Sequence, residues 1–97
     1  MDLKRFISNS GIFDINYYLN ENQDVKSSGM GAIEHYCNFG FKEGRNPNAL
    51  FDSRWYSMQY GLDNETNPLL HYLIDGWKAG YSPCYKFDVK KFQSKYS

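Results

Sequence analysis

The chain has 97 residues, which suffices for one small domain with one modest core. Its 11 basic and 11 acidic residues give no formal net charge, and no more than two basic residues are adjacent. Because nucleic-acid binding requires a basic patch or stripe, we expect no nucleic-acid partner. No apolar run approaches the roughly 18 residues of a spanning helix, so we expect no membrane span.

The N-terminus and the cysteines favour a cytoplasmic protein. The first residues lack the apolar core and the small-residue cleavage site of a secretory signal, so we expect a cytoplasmic location unless the chain is cut from a longer surface protein. Cys37 and Cys84 form no Cys-x-x-Cys pair. We expect them to be free thiols that pack as small hydrophobic side chains, and we expect no cofactor and no metal site.

The first predicted element is a short leading helix in residues 1–12. Asp2 can accept hydrogen bonds from the exposed amides of a first helical turn, as an N-cap residue does. We therefore predict a helix that begins after Asp2 and ends near Gly11. This helix would cap one end of the units that follow it.

The next predicted helix begins at Asp14, in the string Phe13-Asp14-x-x-Tyr17-Tyr18. With Asp14 as N-cap, Phe13 precedes the cap and Tyr18 is the fourth helical residue, which is the spacing of a hydrophobic staple. We predict a loop at residues 24–29. A second helix then begins near Gly31 and has residues 32–39 as its body.

The second helix is predicted to end at Gly40. We expect Gly40 to adopt a positive φ as a left-handed C-cap, with Phe41 folded back on Tyr36. Gly44 interrupts the chain again, and Asn46-Pro47 forms the turn into the next unit.

Residues 51–86 repeat the pattern of residues 13–50. His35-Tyr36-x-x-x-Gly40 returns as His71-Tyr72-x-x-x-Gly76, with each residue 36 positions later. In this unit, Asp52 is the predicted N-cap of the first helix, and Phe51 and Tyr56 form the predicted staple. Residues 61–66 are the predicted loop, and the second helix is predicted to begin at Asn67-Pro68. We expect Gly76 to be the positive-φ C-cap, with Trp77 packed against Tyr72 and Ser82-Pro83 as the final turn.

A third unit begins at Phe87-Asp88, with Phe92 in the place of Tyr18, and residues 87–97 form only its first part. A period of this length is the signature of stacked supersecondary units. No segment alternates apolar and polar residues as a strand would. We therefore predict an all-α fold of tandem helix–turn–helix repeats in a single domain, residues 1–97. Its units are residues 1–12, 13–50, 51–86 and 87–97.

The first unit resembles short helical repeats of bacterial proteins. The similarity lies in Phe13-Asp14-x-x-Tyr17-Tyr18-Leu19, in Asp24-Val25, and in His35-Tyr36-x-x-x-Gly40 followed by Glu43-Gly44-Arg45-x-Pro47. Such repeats are found beside glycosyltransferase domains of surface-polysaccharide synthesis and in large bacterial surface proteins. The resemblance implies a helical interaction module linked to cell-surface glycans. The second unit departs from it, because Ala79 and Tyr81 replace Glu43 and Arg45.

The histidines His35 and His71 are candidate ligand or catalytic residues because they occupy equivalent positions. Two equivalent histidines could meet across the stack as metal ligands or as an acid/base pair. Neither lies in a His-x-x-x-His pattern. A repeat histidine more often bonds a loop carbonyl or a Tyr hydroxyl, and this structural role is the one we expect.

Aromatic residues are the stronger candidates for binding, since 19% of the residues are Phe, Trp or Tyr. Exposed planar rings can stack on sugars or anchor a protein interface, although many rings could equally fill the core. Arg45 is expected to pair with Glu43 or with an Asp cap, or to be solvated. The candidate binding residues are Tyr17, Trp55, Tyr60, Trp77, Tyr81, His35, His71 and Arg45.

These observations favour a non-catalytic interaction or scaffold module. Asp14, Asp52 and Asp88 are explained as helix caps, and the chain has no phosphate loop and no nucleophile elbow. The expected partner is a protein or a surface glycan, and a homo-oligomer is left open. Two alternatives remain: a carbohydrate-binding module that uses exposed aromatics, and a small enzyme that uses His35 and His71.

Overall fold

A computed structural model describes residues 2–84 and shows an all-α fold, as predicted. No β-strand occurs among these residues, and the start predicted at Phe87-Asp88, with Phe92, lies outside them. The α-helices are α1 (Leu3–Ser10), α2 (Ile15–Glu21), α3 (Gln23–Ser28), α4 (Ala32–His35), α5 (Ser53–Gln59) and α6 (Pro68–His71). A π-helical turn, π1 (Tyr36–Gly40), continues α4, and another, π2 (Tyr72–Gly76), continues α6.

Three aspartates begin helices as predicted. The Asp2 carboxylate accepts from the amide of Lys4 at 3.1 Å, and α1 ends at Gly11. Asp14 accepts from the Tyr17 amide at 2.9 Å. Asp52 accepts from the Trp55 amide at 3.0 Å. Gly31 and Asn67 are the N-caps of α4 and α6, which confirms where the second helices begin.

The core is built on the predicted staples. The rings of Phe13 and Tyr18 have centroids 5.3 Å apart, and those of Phe51 and Tyr56 are 5.1 Å apart. Each staple is completed by the tyrosine that follows the histidine, because Tyr36 packs edge-on to Tyr18 and Tyr72 packs edge-on to Tyr56. The buried apolar residues are Ile7, Phe13, Tyr18, Val25, Ala32, Tyr36, Phe51, Tyr56 and Leu69.

The prediction of positive φ at Gly40 and Gly76 is wrong. Both glycines end a π-helical turn, and the left-handed conformation occurs four residues later, at Gly44 and Gly80, with φ of 78° and 79°. Glycine is required at these two positions because a tyrosine hydroxyl lies very close to the Cα atom, and not because the backbone is left-handed there. A Cβ added at Gly40 would overlap the Tyr18 hydroxyl oxygen, and one at Gly76 would overlap that of Tyr56.

Aromatic contacts beyond these glycines differ between the two units. Phe41 lies against Tyr36 with centroids 6.3 Å apart, as predicted. Trp77 is 50% exposed and forms no ring pair with Tyr72 within residues 2–84. Tyr72 packs instead on Phe51 and Tyr56.

The loop predicted at residues 24–29 is also wrong, because Gln23–Ser28 forms helix α3. Asn22 lies between α2 and α3, and its side-chain amide donates to the Tyr18 carbonyl at 2.7 Å. Val25 is 2% exposed, so burial of this side chain holds a helix that the Asp- and Ser-rich sequence disfavours. The shorter counterpart at residues 61–66 has no helix, as predicted.

In each unit, the final turn is hydrogen-bonded to the start of the first helix of the same unit. The two units also contact each other through a polar hydrogen bond. The amide of Asp14 donates to the Pro47 carbonyl at 3.0 Å, and that of Asp52 donates to the Pro83 carbonyl at 2.9 Å. Between the units, the Tyr36 hydroxyl lies 2.7 Å from the Ser53 hydroxyl. Because both are buried, this hydrogen bond satisfies polar groups that would otherwise be costly to bury.

Candidate functional site

The histidines are bound to tyrosines of their own units. Nδ1 of His35 lies 2.8 Å from the Tyr18 hydroxyl, and Nδ1 of His71 lies 2.7 Å from the Tyr56 hydroxyl. Burial raises the pKa of Tyr18 and of Tyr56 well above the ordinary value, so both phenols stay protonated. A protonated phenol can donate to an imidazole nitrogen or accept from one, so the direction of each hydrogen bond is set by the histidine tautomer. Each histidine thus makes the hydrogen bond to a Tyr hydroxyl that was expected from the sequence.

Arg45 is committed to an ion-pair cluster at the end of α2. Its guanidinium makes two bonds of 2.8 Å to the carboxylate of Asp24 and one of 3.0 Å to the side-chain oxygen of Asn22. Its Nε lies 3.1 Å from Glu43, as predicted. Arg45 holds the pKa of Asp24 at about 2. With these partners, Arg45 joins the C-terminal part of the first unit to the start of α3.

The second unit makes the same connection with aromatic rings. Tyr60 occupies the position of Asn22, and Tyr81 occupies that of Arg45. The Tyr60 and Tyr81 rings are stacked, with centroids 3.8 Å apart and planes 2° apart. The Tyr60 hydroxyl also accepts from the Ser82 amide at 2.9 Å. Tyr81 is thus part of the fold, and the paired change from Asn22 and Arg45 explains why the second unit departs from the repeat pattern.

The predicted binding aromatics are mostly packed. Trp55 lies edge-on to Tyr60 with centroids 6.0 Å apart, and it packs against the core. Tyr17 is half-buried, and this burial, with the charge of Glu21 nearby, raises its pKa. Trp77 is the exception because half of its surface is exposed. The structure therefore does not bring the predicted aromatics together in one binding face.

An open groove of about 550 Å³ lies between α1, π1 and the α6–π2 segment. We call it the second-helix groove. Leu3 and Ile74 are 41% and 39% exposed on its walls, and they offer apolar surface to solvent. Its lining also includes Cys37, Phe41, Leu70 and His71.

Charged residues surround this apolar lining. Nζ of Lys42 lies 3.1 Å from Glu65 across the groove, and Asp75 stands at the end of π2. Cys37 is a free thiol whose pKa is raised by burial, and its sulfur lies 3.8 Å from the Asn67 amide nitrogen. The lining thus combines apolar side chains with polar and charged ones, and such a mixture is typical of protein-binding surfaces.

Leu3 and Ile74 are not among the binding residues predicted from the sequence, although a signal for Ile74 was present. Residues of the repeated core keep their apolar character in both units, as Tyr36 and Tyr72 do. Ile74 instead corresponds to the polar Asn38. An apolar residue at a position that is polar in the other unit is expected to be on the surface. Leu3 had no comparable signal, because its place in the groove depends on how α1 packs against α4.

No family model, curated protein or solved structure matches this chain. Residues 2–84 contain no helix long and apolar enough to cross a membrane. Within the same range, no three His, Cys, Asp or Glu side chains are grouped as metal ligands would be.

Proposed function

We propose that this chain is a non-catalytic interaction module that binds a protein partner in the second-helix groove. The observation that carries this proposal is the exposure of Leu3 and Ile74 in a concave groove that has charged residues at its edge. Exposed apolar residues within a polar rim are typical of protein interaction sites.

The polar candidate residues His35, His71 and Arg45 are hydrogen-bonded to other side chains of the chain, and this supports a non-catalytic role. Catalysis by His35 and His71 would require each imidazole to exchange a proton with a substrate. Nδ1 of each histidine is instead hydrogen-bonded to a buried tyrosine hydroxyl, and the two histidines belong to separate tyrosine pairs. Arg45 was a candidate cation for ligand binding. Its guanidinium is instead already bonded to Asp24, Asn22 and Glu43.

The carbohydrate-binding alternative has less support. Sugar binding by stacking needs a ring with a free face. Tyr60 and Tyr81 cover one another, and Trp55 packs against the core. Of the predicted binding aromatics within residues 2–84, Trp77 is left as the one with half of its surface exposed.

The proposed biological setting is bacterial cell-surface glycan synthesis, where the module would be an accessory of a glycosyltransferase. This setting rests on the resemblance of the first unit, carried by Phe13-Asp14-x-x-Tyr17-Tyr18 and the Glu43-Gly44-Arg45 string. A cytoplasmic location belongs to the same proposal.

Site-specific photo-crosslinking tests the proposed groove. A photoreactive residue in place of Leu3 should capture one defined protein in cells that naturally make this chain, and Ile74→Asp should abolish the product. The identified protein, once purified, should bind the parent chain and bind the Ile74→Asp variant at least about tenfold more weakly, as for an interface anchor.

A matched control uses Phe39, which is 50% exposed and does not line the groove. A probe at this position should give no such product, and Phe39→Asp should leave the Leu3 product unchanged. Equal capture from both probes, or capture of glycan in place of protein, would contradict the proposal.

A further inference from the structure

We infer that this chain associates head to tail with a second copy of itself. The surface around Ile15 of one copy would pack against the surface around Tyr72 and Trp77 of the next. This contact repeats, between two copies, the junction that the two units already form within one chain.

The internal junction shows which residues such a contact buries. Tyr36 of the first unit is fully buried, and its hydroxyl bonds to Ser53 of α5, which is 1% exposed. Phe41 lies at the same junction and lines a cavity with Ser53 and Arg54. On the tail side of one unit, Tyr36 is therefore covered by the first helix of the next unit, and Phe41 lies beside this contact.

The head surface of the chain is free to make the same contact. Ile15 directly follows Phe13-Asp14, as Ser53 directly follows Phe51-Asp52, so the two residues occupy equivalent positions. Ser53 is almost wholly buried, whereas Ile15 is 48% exposed. Helix α1 packs against α4 and leaves Ile15 uncovered.

The tail surface is also exposed in the part of the chain that the structure describes, residues 2–84. Tyr72 and Trp77 correspond to Tyr36 and Phe41. Tyr72 is only half-buried, and Trp77 is 50% exposed. An isoleucine at the head suits this tail better than a serine would, because it buries apolar surface against two large rings.

The geometry points to a second copy because each half of the internal junction has an exposed counterpart among the described residues, at Ile15 and at Trp77. Such a contact is heterologous, since different surfaces meet, and it can continue from copy to copy. A chain that associates in this way should form a concentration-dependent series of oligomers. A symmetric contact would instead stop at a dimer.

Sedimentation velocity of the full chain over a range of concentrations tests this inference. The parent should show mass rising beyond the dimer. Ile15→Asp removes the head and Trp77→Asp removes the tail, so each variant alone should be monomeric with at least a tenfold weaker self-association. Phe39→Asp is the matched control, because Phe39 is as exposed as Trp77 and its equivalent in the second unit is Asp75. It should associate as the parent does.

Mixing the two monomeric variants gives a result that misfolding cannot imitate. The Ile15→Asp copy retains an intact tail, and the Trp77→Asp copy retains an intact head. An equimolar mixture should therefore form a dimer and no longer species. The dimer requires both variants to be folded.

Several outcomes would overturn the inference. A parent that stays monomeric at every concentration would do so, and it is the outcome expected if residues 87–97 of the same copy occupy the tail surface. A dimer of Ile15→Asp alone would indicate a symmetric contact. A mixture of the two variants that stays monomeric, although circular dichroism shows both to be helical, would also contradict it. These oligomer readouts are independent of partner capture in the second-helix groove.

Discussion

The hydroxyl of Tyr18 lies 2.8 Å from Nδ1 of His35 and directly over Gly40, and this relationship recurs among Tyr56, His71 and Gly76. The tyrosine comes from the first helix of a unit, while the histidine and the glycine lie five residues apart on its second helix. The three residues together fix how the two helices cross. The repeated His-Tyr-x-x-x-Gly pattern is therefore explained by packing.

The first prediction concerns the tyrosine–histidine bond. Tyr18→Phe and His35→Gln should each destabilise the chain by about 1 kcal/mol, since each breaks one partly buried hydrogen bond. The double variant should cost less than the sum of the two changes, because the second change removes a bond that is already broken. Urea unfolding followed by circular dichroism measures this, and strict additivity would show that the pair does not interact.

The second prediction concerns Gly40. Gly40→Ala should destabilise the chain by about 1–3 kcal/mol, because the added methyl group overlaps the Tyr18 hydroxyl. The cost should fall in a Tyr18→Phe background, where the overlapping oxygen is gone. Gly31→Ala is a suitable control, since Gly31 has a φ of −60° and only the Glu34 side chain lies near the added atom. An equal cost of Gly40→Ala in both backgrounds would contradict the close-approach explanation.

A third prediction follows from the helix caps. Asp52→Ala should lower the free energy of unfolding by about 1 kcal/mol, because the amide of Trp55 loses its acceptor. Asp75→Ala provides the comparison, since Asp75 is exposed and does not cap a helix. The same thermal-unfolding experiment on both variants decides the point, and an equal loss would show that the Asp52 carboxylate contributes nothing specific.

The fourth prediction is a pH dependence. Arg45 lowers the pKa of Asp24 from its ordinary value of 3.8 to about 2. The folded chain thus binds this proton less readily than the unfolded chain, so the stabilisation is fully present above about pH 4 and is lost as the pH falls towards 2. The stability difference between the parent and Asp24→Asn should shrink over this interval. A difference that is constant down to pH 2 would be inconsistent with the ion pair.

Local signals in the sequence were sufficient to predict most helix starts. Helices begin after Asp2, Asp14 and Asp52 because a carboxylate at the N-cap accepts hydrogen bonds from the unpaired amides of the first turn. This interaction is local and depends little on the rest of the fold. The staples followed from the same spacing. Helix α3 could not be predicted in this way, because it depends on burial of Val25 against other elements.

The role of the glycines was misread for a related reason. A glycine at the end of an apolar helix is commonly a left-handed C-cap, and Gly44 and Gly80 do adopt that conformation. Gly40 and Gly76 are glycine because another helix brings a hydroxyl against them. Only the three-dimensional packing distinguishes these two uses of glycine.

The candidate site was partly predictable. The hydrogen bonds of the histidines to Tyr hydroxyls were expected because repeat histidines often make such bonds, and the contact of Arg45 with Glu43 was one of three alternatives that the sequence left open. The exposed surface of the second-helix groove was not foreseen, since it arises where α1 approaches the second helices of both units. The stacking of Tyr60 on Tyr81 was not predicted either. The sequence does show that tyrosines occupy the positions of Asn22 and Arg45 in the second unit.

The measurement that most directly tests the central claim is the yield of the photo-crosslink from Leu3 in two variants of the chain. The claim is that the groove binds a partner while His35, which does not line it, only supports the fold. The His35→Gln variant, kept at a temperature where it is folded, should retain the parent yield. The folded Ile74→Asp variant should lose the product. Loss of the product in the histidine variant and its retention in Ile74→Asp would contradict the account.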